Sequence, residues 1–356
     1  MGKRPFVFAV CGEKNTGKTT LVERLIAALT MHGFRVAAIK HDGHAFAADV
    51  PGTDSCRHRA AGAYATAVYD GEKFMVVKEE KTSADAVAQL FPEADMILLE
   101  GCKGSDYPKV QMLTAEKDQL ICNQQNLVAF ASDGTDAPMA GVPCYGRDDI
   151  ASIAALVLRE KYIRTQLSMI VLAGGLSRRM GREKADLLYG GTTFLEHQIA
   201  LGRELGIRDI LVSGYRGECC SVPVVTDKFC QRGPLGGLEA TLEAAQHRKC
   251  LVVTVDMPRL DAAVLRGLIE RSMTGGKPVT VLRHGEKTEP LLGVYDRAVA
   301  KDIRTALVEG RGGVMALLEQ VGYDEYVCAD NGTFGNINTQ QDYAALEGEG
   351  ICTPSV

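Results

Sequence analysis

The sequence has no tryptophan, no pair of cysteines at CxxC spacing and no block of five or more consecutive basic residues. Without such a block, and with a formal net charge of −5, no overall positive field attracts nucleic acid. No apolar run approaches the roughly 20 residues that span a bilayer. We therefore expect local sites to hold the ligands, with neither nucleic acid nor a membrane as a partner.

The cysteines and the first residues indicate the compartment. Most of the eleven cysteines lie inside apolar segments, as Cys11 and Cys250 do, which favours buried thiols in a reducing cytoplasm over a metal cluster or disulfides. Cys219 and Cys220 lie in a polar stretch and are the candidates for reactivity. A strand-like segment and a phosphate-binding motif follow the first residues directly, so we expect no cleaved signal peptide.

Length and patterning predict two α/β domains. A chain of 356 residues is long for one core, and β-branched runs alternate with helical patterns, which predicts parallel sheets covered by helices. The predicted strands are 6–11, 35–40, 96–100, 127–132, 168–172, 209–213, 222–226, 250–255 and 279–283. Helices are predicted near 148–165, 194–205, 236–247 and 261–272. The predicted domains are 1–164 and 165–348, followed by a tail at 349–356.

A complete GxxxxGK[ST] motif follows the first apolar run and precedes a helical pattern. Its glycines permit a tight turn around phosphates, its lysine reaches the β- and γ-phosphates, and its threonine hydroxyl can bind Mg²⁺. This context favours a P-loop with Thr19 as a metal ligand. The nucleotide-binding residues predicted here are Gly12, Gly17, Lys18, Thr19 and Thr20.

Three features near the P-loop have competing interpretations. Glu100 ends an apolar strand where a Walker-B acid is expected, and we favour this over a plain polar strand end. Residues Asp49–Gly52 match DxxG, but a Pro-Gly turn explains them equally well. His41 and His44 could bind a metal, although no third ligand is evident.

A second glycine-rich loop, residues 172–184, also follows an apolar run but lacks GK[ST]. Its glycines let the backbone approach a nucleotide, and its basic residues supply charge; this set suits nucleotidyl transfer, in which pyrophosphate must leave with its charge neutralised. The residues predicted to act here are Gly174, Gly175, Arg178 and Lys184, with Ser177 and Arg179 assisting.

Two acids at strand ends complete this predicted site. Asp256 follows the apolar strand predicted at 250–255 and is the best candidate ligand for Mg²⁺. The alternative, a helix cap, is weaker because Asp261 can cap the next helix. Asp227 follows the strand predicted at 222–226 and is the second acid. An Arg-Gly-Gly stretch at 311–313 and an Asn-Ile-Asn-Thr stretch at 336–339 are softer signals. The first is explicable as a simple turn, and the second as either a capped helix start or a binding loop.

In the first half four motifs follow the P-loop in order: Ile39-Lys-His-Asp-Gly-His44, Asp49-Val-Pro-Gly-Thr-Asp-Ser55, Arg59-Ala-Ala-Gly-Ala63 and Leu98-Leu-Glu-Gly-Cys-Lys103. Over about residues 5–160 this series resembles the molybdopterin-guanine dinucleotide biosynthesis adaptor family of the MobB type. The resemblance implies a P-loop domain that binds GTP with feeble turnover and assists a transferase. It also makes a homodimer plausible.

In the second half the motifs are Leu172-Ala-Gly-Gly175, Arg179-Met-Gly181 with Lys184, Gly233-Pro-Leu-Gly-Gly237, Val255-Asp-Met-Pro258 and Asn336-Ile-Asn-Thr339. Over about residues 167–348 they resemble the molybdenum cofactor guanylyltransferase family of the MobA type, a Rossmann-like nucleotidyltransferase fold. The resemblance implies that Leu172, Ala173, Gly174 and Lys184 bind GTP, that Asp227 contacts the nucleotide, and that Asp256 binds GTP and Mg²⁺. Ser213 stands where the family often has asparagine.

The combined resemblance implies a bifunctional protein that transfers GMP from GTP to Mo-molybdopterin and releases pyrophosphate. Its further partners would be molybdoenzymes or their chaperones and molybdopterin-loading proteins. The Leu-Ala-Gly-Gly start favours the guanylyl branch over the cytidylyl branch by one residue. A non-catalytic GTP-binding scaffold remains an alternative, against which Arg178, Lys184 and Asp256 argue. Sugar-phosphate nucleotidyl transfer is disfavoured because its Gly-x-Gly-Thr-Arg start is absent.

Overall fold

The computed structural model describes residues 5–42, 46, 48–124, 126–134, 137–174, 183–217, 220–229, 232–329 and 334–348. The chain divides into two compact units, Met1–Leu158 and Arg159–Val356. This division falls a few residues before the predicted domain boundary at 164/165. None of the helices in these ranges is both long and apolar enough to cross a bilayer.

Within its described residues, the first unit contains eight strands. They are β1 (Phe6–Gly12), β2 (Val36–Lys40), β3 (Ala65–Tyr69), β4 (Phe74–Lys78), β5 (Met96–Glu100), β6 (Lys109–Met112), β7 (Leu127–Ser132) and β8 (Cys144–Gly146). Its helices are α1 (Lys18–Met31), α2 (Asp54–Ala60), α3 (Ala84–Ala88) and the first part of α4 (Ile150–Gln166). The four strands predicted in this half are confirmed to within about one residue at their ends.

Six strands form a parallel sheet in the order β2-β5-β1-β6-β7-β8. Strands β1, β5 and β7 are buried along nearly their whole length, as expected for a sheet covered on both faces. Helix α1 packs on one face through a stripe of four apolar residues at helical spacing: Leu21, Val22, Leu25 and Leu29. Strands β3 and β4 form a separate antiparallel hairpin that the sequence did not predict.

The part of the second unit that the structure describes contains nine strands. They are β9 (Leu167–Leu172), β10 (Leu188–Tyr189), β11 (Thr192–Thr193), β12 (Asp209–Ser213), β13 (Val224–Val225), β14 (Lys249–Thr254), β15 (Val279–His284), β16 (Lys287–Asp296) and β17 (Tyr323–Cys328). Its further helices are α5 (Phe194–Glu204), α6 (Pro234–Ala244), α7 (Ala262–Thr274), α8 (Ala300–Val308), α9 (Val314–Val321) and α10 (Gln340–Gly348), with short 3₁₀ turns at Lys184–Asp186 and Arg297–Val299.

Seven of these strands form one sheet in the order β13-β12-β9-β14-β16-β15-β17. The sheet is mixed, because β16 runs antiparallel to both β14 and β15, so the expectation of a wholly parallel sheet is wrong at this strand. A short turn joins β15 to β16, and parallel neighbours would need a long crossover instead. This connection explains why β16 runs antiparallel to β15. Strand β13 is shorter than the predicted 222–226.

Local capping explains where the helices of the second unit begin. Thr193 and Glu196 form a reciprocal capping box at α5. Asp261 accepts a hydrogen bond of 2.9 Å from the backbone N–H of Val264 and so caps α7. Because Asp261 caps α7, Asp256 is not needed for that role. The Asp256 carboxylate is therefore available for other chemistry.

A buried charge cluster ties α4 to α7 within the second unit. The Glu160 side chain is completely buried, with Oε2 3.2 Å from Arg164 Nε and Oε1 3.1 Å from Arg266 Nη1. Arg159 Nε lies 3.9 Å from the same carboxylate. Burial lowers the pKa of Arg164, and the charge of Glu160 opposes that effect. One carboxylate therefore compensates several poorly hydrated guanidinium groups.

Candidate functional site

The P-loop occupies the turn between β1 and α1, as predicted. Gly17, with a φ of 88°, immediately precedes α1 and offers no side chain to cap it. The first N–H groups of the helix are consequently available to an anion such as phosphate. Lys18 donates to the backbone oxygen of Glu13 across the loop, and Thr20 lies exposed on the first turn. Gly12, at the end of β1, completes the turn.

Glu100 occupies the position expected of an acid beside the P-loop. It ends β5, which pairs directly with β1, and its Oε1 accepts a 3.0 Å hydrogen bond from the Thr19 hydroxyl. Lys40, at the end of β2, lies 3.6 Å from the same oxygen. The acid predicted beside the P-loop therefore lies within hydrogen-bond distance of Thr19. Burial lowers the pKa of Lys18, while the Glu100 charge works in the opposite direction.

The weaker motifs of the first unit are local structure. Asp49 Oδ1 accepts from the Val50 N–H at 2.9 Å and from the Thr53 hydroxyl at 3.1 Å, so this carboxylate stabilises its own turn. The turn interpretation of Asp49–Gly52 therefore accounts for the DxxG match. The backbone N–H of His41 donates to the carbonyl of Glu100. His44 lies outside the described residues.

The candidate site of the second unit lies where β9, β12 and β14 end. Leu172 pairs with Ser213 on one side and with Thr254 on the other, so the segments that follow these strands meet at one edge of the sheet. Ala173 and Gly174 continue from β9. A Cβ on Gly214, whose φ is 77°, would lie 2.6 Å from the Cα of Gly174, and this close approach requires glycine. Gly175 and Arg178, together with the other residues of 175–182, lie outside the described residues.

Asp256 and Lys184 meet at this edge. Lys184 Nζ lies 3.4 Å from Asp256 Oδ2, and the two side chains are 17% and 23% exposed. The other carboxylate oxygen of Asp256 accepts from the Thr254 hydroxyl at 2.6 Å. Lys184 also donates to Asn338 Oδ1 at 2.7 Å. The structure thus brings together Lys184 and Asp256, two of the three predicted catalytic residues, and adds Asn338 to them.

Asp227 lies beside the start of α6. Its Oδ1 accepts from the Phe229 N–H at 2.7 Å, and its Oδ2 is 2.5 Å from where a Cβ on Gly236 would stand. Ser213 is similarly close to Gly237, with its Oγ 2.1 Å from that glycine's Cβ position. The glycines of α6 therefore make room for both polar side chains. An asparagine in place of Ser213 would be crowded against this helix.

Other residues at this site carried weak or no sequence signals. Asn338 belongs to the 336–339 stretch, in which Asp342 also accepts from the N–H groups of Asn338 and Thr339. These bonds support the helix-start interpretation of that stretch, and the binding loop stays a prediction. The Tyr215 hydroxyl donates to Asp186 Oδ1 at 3.0 Å. Burial, and to a smaller extent Asp186, raise the pKa of Tyr215 to about 12. Arg311, from the 311–313 stretch, pairs with Glu309 and donates to Gln320 Oε1 at 2.8 Å, so these partners are local.

These observations define a class of protein: a P-loop unit joined to a second α/β unit that gathers a glycine-rich turn, a lysine and acids at the ends of its central strands. Family comparisons agree with both halves. Residues 7–133 match the family described as molybdopterin guanine dinucleotide synthesis protein B. Residues 169–325 match the MobA-like NTP transferase domain.

Individual relatives match one half each. A probable molybdenum cofactor guanylyltransferase of Pelotomaculum thermopropionicum is 33% identical over 50% of this chain and 90% of its own length. A probable molybdopterin-guanine dinucleotide biosynthesis adapter protein of Bacillus subtilis is 30% identical over 42% of this chain and 91% of its own. The crystal structure of molybdopterin-guanine dinucleotide biosynthesis protein A from Archaeoglobus fulgidus is 24% identical, covers 51% of this chain and 97% of its own, and has a TM-score of 0.45. The chain belongs to the molybdenum cofactor guanylyltransferase family, with a MobB-type domain preceding its MobA-type nucleotidyltransferase domain.

Proposed function

We propose that the second unit transfers GMP from GTP to the terminal phosphate of Mo-molybdopterin, giving the guanine dinucleotide cofactor and pyrophosphate. The observation that carries this proposal is the contact of Lys184 with both Asp256 and Asn338 at the ends of the central strands. The names of the relatives supply the acceptor, because they are guanylyltransferases of the molybdenum cofactor.

The residues at the site suit this chemistry. The attacking phosphate is already an anion, so no general base is needed, and the main requirement is to neutralise charge on the triphosphate. Lys184 supplies a cation whose position is fixed by Asn338. The hydroxyl of Thr254 holds one oxygen of Asp256 and so orients this carboxylate. Gly174 and Gly214 lie close together and carry no side chains, so their backbone stays open to a ligand.

Mg²⁺ fits the donor atoms of both units. Asp256 offers a partly exposed carboxylate oxygen, and Thr19 and Glu100 offer a hydroxyl and a carboxylate 3.0 Å apart; such hard oxygen donors are those that Mg²⁺ prefers. We assign Asp256 and Thr19 as the metal-binding residues. When bound, Mg²⁺ would neutralise the charge of the triphosphate.

The test is nucleotide-dependent pyrophosphate release by the full chain. Purified protein is incubated with Mg²⁺, Mo-molybdopterin and either GTP, CTP or ATP, and pyrophosphate and the dinucleotide product are measured. We expect product with GTP. A marked preference for CTP would make the protein a cytidylyltransferase, and no product with any nucleotide would favour a non-catalytic scaffold.

For the first unit we propose GTP binding with slow hydrolysis in support of that transfer. Its P-loop, with Thr19 bonded to Glu100, supports nucleotide binding. We also propose a cytoplasmic location, and molybdoenzymes, their chaperones or molybdopterin-loading proteins as further partners.

Replacing Lys18 with alanine should weaken GTP binding to the first unit by about 10- to 100-fold, because a charged hydrogen bond to phosphate contributes roughly 1.5–3 kcal/mol. Calorimetric titration with GTP measures this change: the class of sites that belongs to the first unit should bind more weakly than in the unsubstituted protein. Lys14→Ala is the matched control, since Lys14 lies exposed in the same loop. Equal losses for the two variants would show that Lys18 has no specific role.

The β3–β4 hairpin supports a homodimer. Tyr69 and Phe74 face each other across it and are 82% and 78% exposed. Asp70 holds the tip rigid by accepting from the N–H groups of Glu72 and Lys73 at 2.8 and 2.9 Å. Exposed apolar patches of this kind mark interaction surfaces, and we propose that a second copy of the chain covers it.

The double variant Tyr69→Lys, Phe74→Lys should convert the dimer into a monomer, because two buried charges would have no partners. Light scattering coupled to size-exclusion chromatography measures the mass directly. Met31→Lys, on α1 and 87% exposed, is the control and should leave the dimer intact. A wild-type protein that is already monomeric at micromolar concentration would contradict the proposal.

A further inference from the structure

A cavity of about 790 Å³ lies in the second unit at the edge of the sheet opposite to Asp256. Its lining includes residues just before or at the starts of β9, β14 and β15, whereas the catalytic residues follow the ends of β9 and β14. We propose that this cavity is a second anion site that binds a small diphosphate, either free pyrophosphate or the diphosphate group of a nucleotide.

The charge of the lining carries this proposal. Three lining residues, Arg248, Lys249 and Lys277, are basic, and Asp296 is the one acid among them. Asp296 Oδ2 lies 2.8 Å from Arg248 Nε and 3.8 Å from Lys249 Nζ. One negative charge against three positive charges leaves an excess of two, which matches an anion with at least two charges. The Arg248 side chain is 82% exposed, so much of its guanidinium remains open to a ligand.

Buried hydrogen bonds hold one wall of the cavity in place. The N–H groups of Gln246 and His247 donate to Asp209 Oδ2 at 2.9 Å and to Ser168 Oγ at 3.1 Å. The Ser168 hydroxyl itself donates to Asp209 at 2.5 Å, and both side chains are buried. The segment that presents Arg248 and Lys249 is therefore fixed before any ligand arrives, which reduces the cost of ordering it on binding.

A second carboxylate fixes the opposite wall. Asp324 accepts from the backbone N–H of Lys277 at 3.1 Å and lies 3.4 Å from Arg271 Nη2. Lys277 is thereby placed at the rim with its side chain exposed. Tyr162 also lines the cavity, and burial raises its pKa to about 12. Arginine and lysine donors arranged in this way are suited to phosphate oxygens.

The absence of tryptophan from the sequence permits a test that reports on this cavity alone. Met273 lines the cavity and is 42% exposed, so Met273→Trp introduces a single tryptophan there, which can be excited selectively beside the eleven tyrosines. The full-length variant is titrated with pyrophosphate, and separately with GDP, in the absence of Mg²⁺. We expect a saturable fluorescence change with at least one of them. A tighter response to GDP would identify the nucleotide as the source of the diphosphate, and equal responses would identify the diphosphate itself.

Two charge reversals in the Met273→Trp background decide the outcome. Lys277→Glu should weaken the response about tenfold or more, since it replaces a contacting cation by an anion. Lys301→Glu makes the same charge change at an exposed position of α8 and should leave the response unchanged. Arg248→Gln provides a second cavity variant, and circular dichroism checks that each variant is folded. No saturable change up to about 10 mM ligand, or equal weakening by Lys277→Glu and Lys301→Glu, would overturn the proposal.

Discussion

Asp256→Asn is expected to lower guanylyl transfer by about 10²- to 10³-fold, the loss typical of removing one group that stabilises developing charge. The substitution keeps the size of the side chain and can keep the 2.6 Å bond from Thr254. It removes the negative charge that pairs with Lys184 and that would hold Mg²⁺. Initial rates of pyrophosphate release, measured at saturating GTP and Mo-molybdopterin, check this expectation.

Asp261→Asn is the matched control for that variant. It makes the same chemical change only a few residues away, at the cap of α7, and asparagine caps helices about as well as aspartate. We therefore expect its transfer rate to stay close to that of the unsubstituted protein. If Asp256→Asn retained full activity while folding normally, or if the two variants lost activity equally, Asp256 would have no direct role in the reaction.

Glu160→Gln is expected to destabilise the second unit by about 3–5 kcal/mol, because removing one partner of a buried ion cluster leaves uncompensated charge. The guanidinium groups of Arg164, Arg266 and Arg159 would then lie together around a neutral amide. Chemical denaturation followed by circular dichroism should show that the second unit unfolds at a lower denaturant concentration.

Glu270→Gln serves as the comparison for this stability effect. Glu270 pairs with Arg159, one of the same arginines, but its side chain is 48% exposed, and exposed pairs typically contribute no more than about 1 kcal/mol. The denaturation midpoint should therefore change little. A Glu160→Gln variant as stable as the unsubstituted protein would mean that solvent already screens the cluster.

Sequence patterns predicted the elements that build both nucleotide sites. Strands such as β5 and β7 are continuous buried apolar runs, and such runs flanked by turns are easily recognised. The P-loop was equally evident because all its residues are adjacent in sequence. Glu100 could be predicted as the acid near the P-loop because it ends an apolar strand where a Walker-B acid is expected.

Features that depend on distant contacts could not be predicted in the same way. Lys184 and Asn338 are far apart in the chain, and only the packing of the loop before α10 beside β14 joins them, as the hydrogen bond from the Ile337 N–H to the Asp256 carbonyl shows. The direction of β16 depends on strand pairing rather than composition. The β3–β4 hairpin exposes apolar residues, so the usual alternation of buried and exposed positions does not mark it.

Helix α4 has a practical consequence for anyone who wishes to study the units separately. It runs without interruption from Ile150 to Gln166, and its early residues Ile153 and Val157 belong to the core of the first unit, whereas Ile163 belongs to that of the second. A fragment that started at residue 165 would lack Ile163 and the Glu160 carboxylate. Truncation experiments should instead begin the second half upstream of Arg159, and any loss of activity in shorter pieces would report damaged folding rather than a missing helper domain.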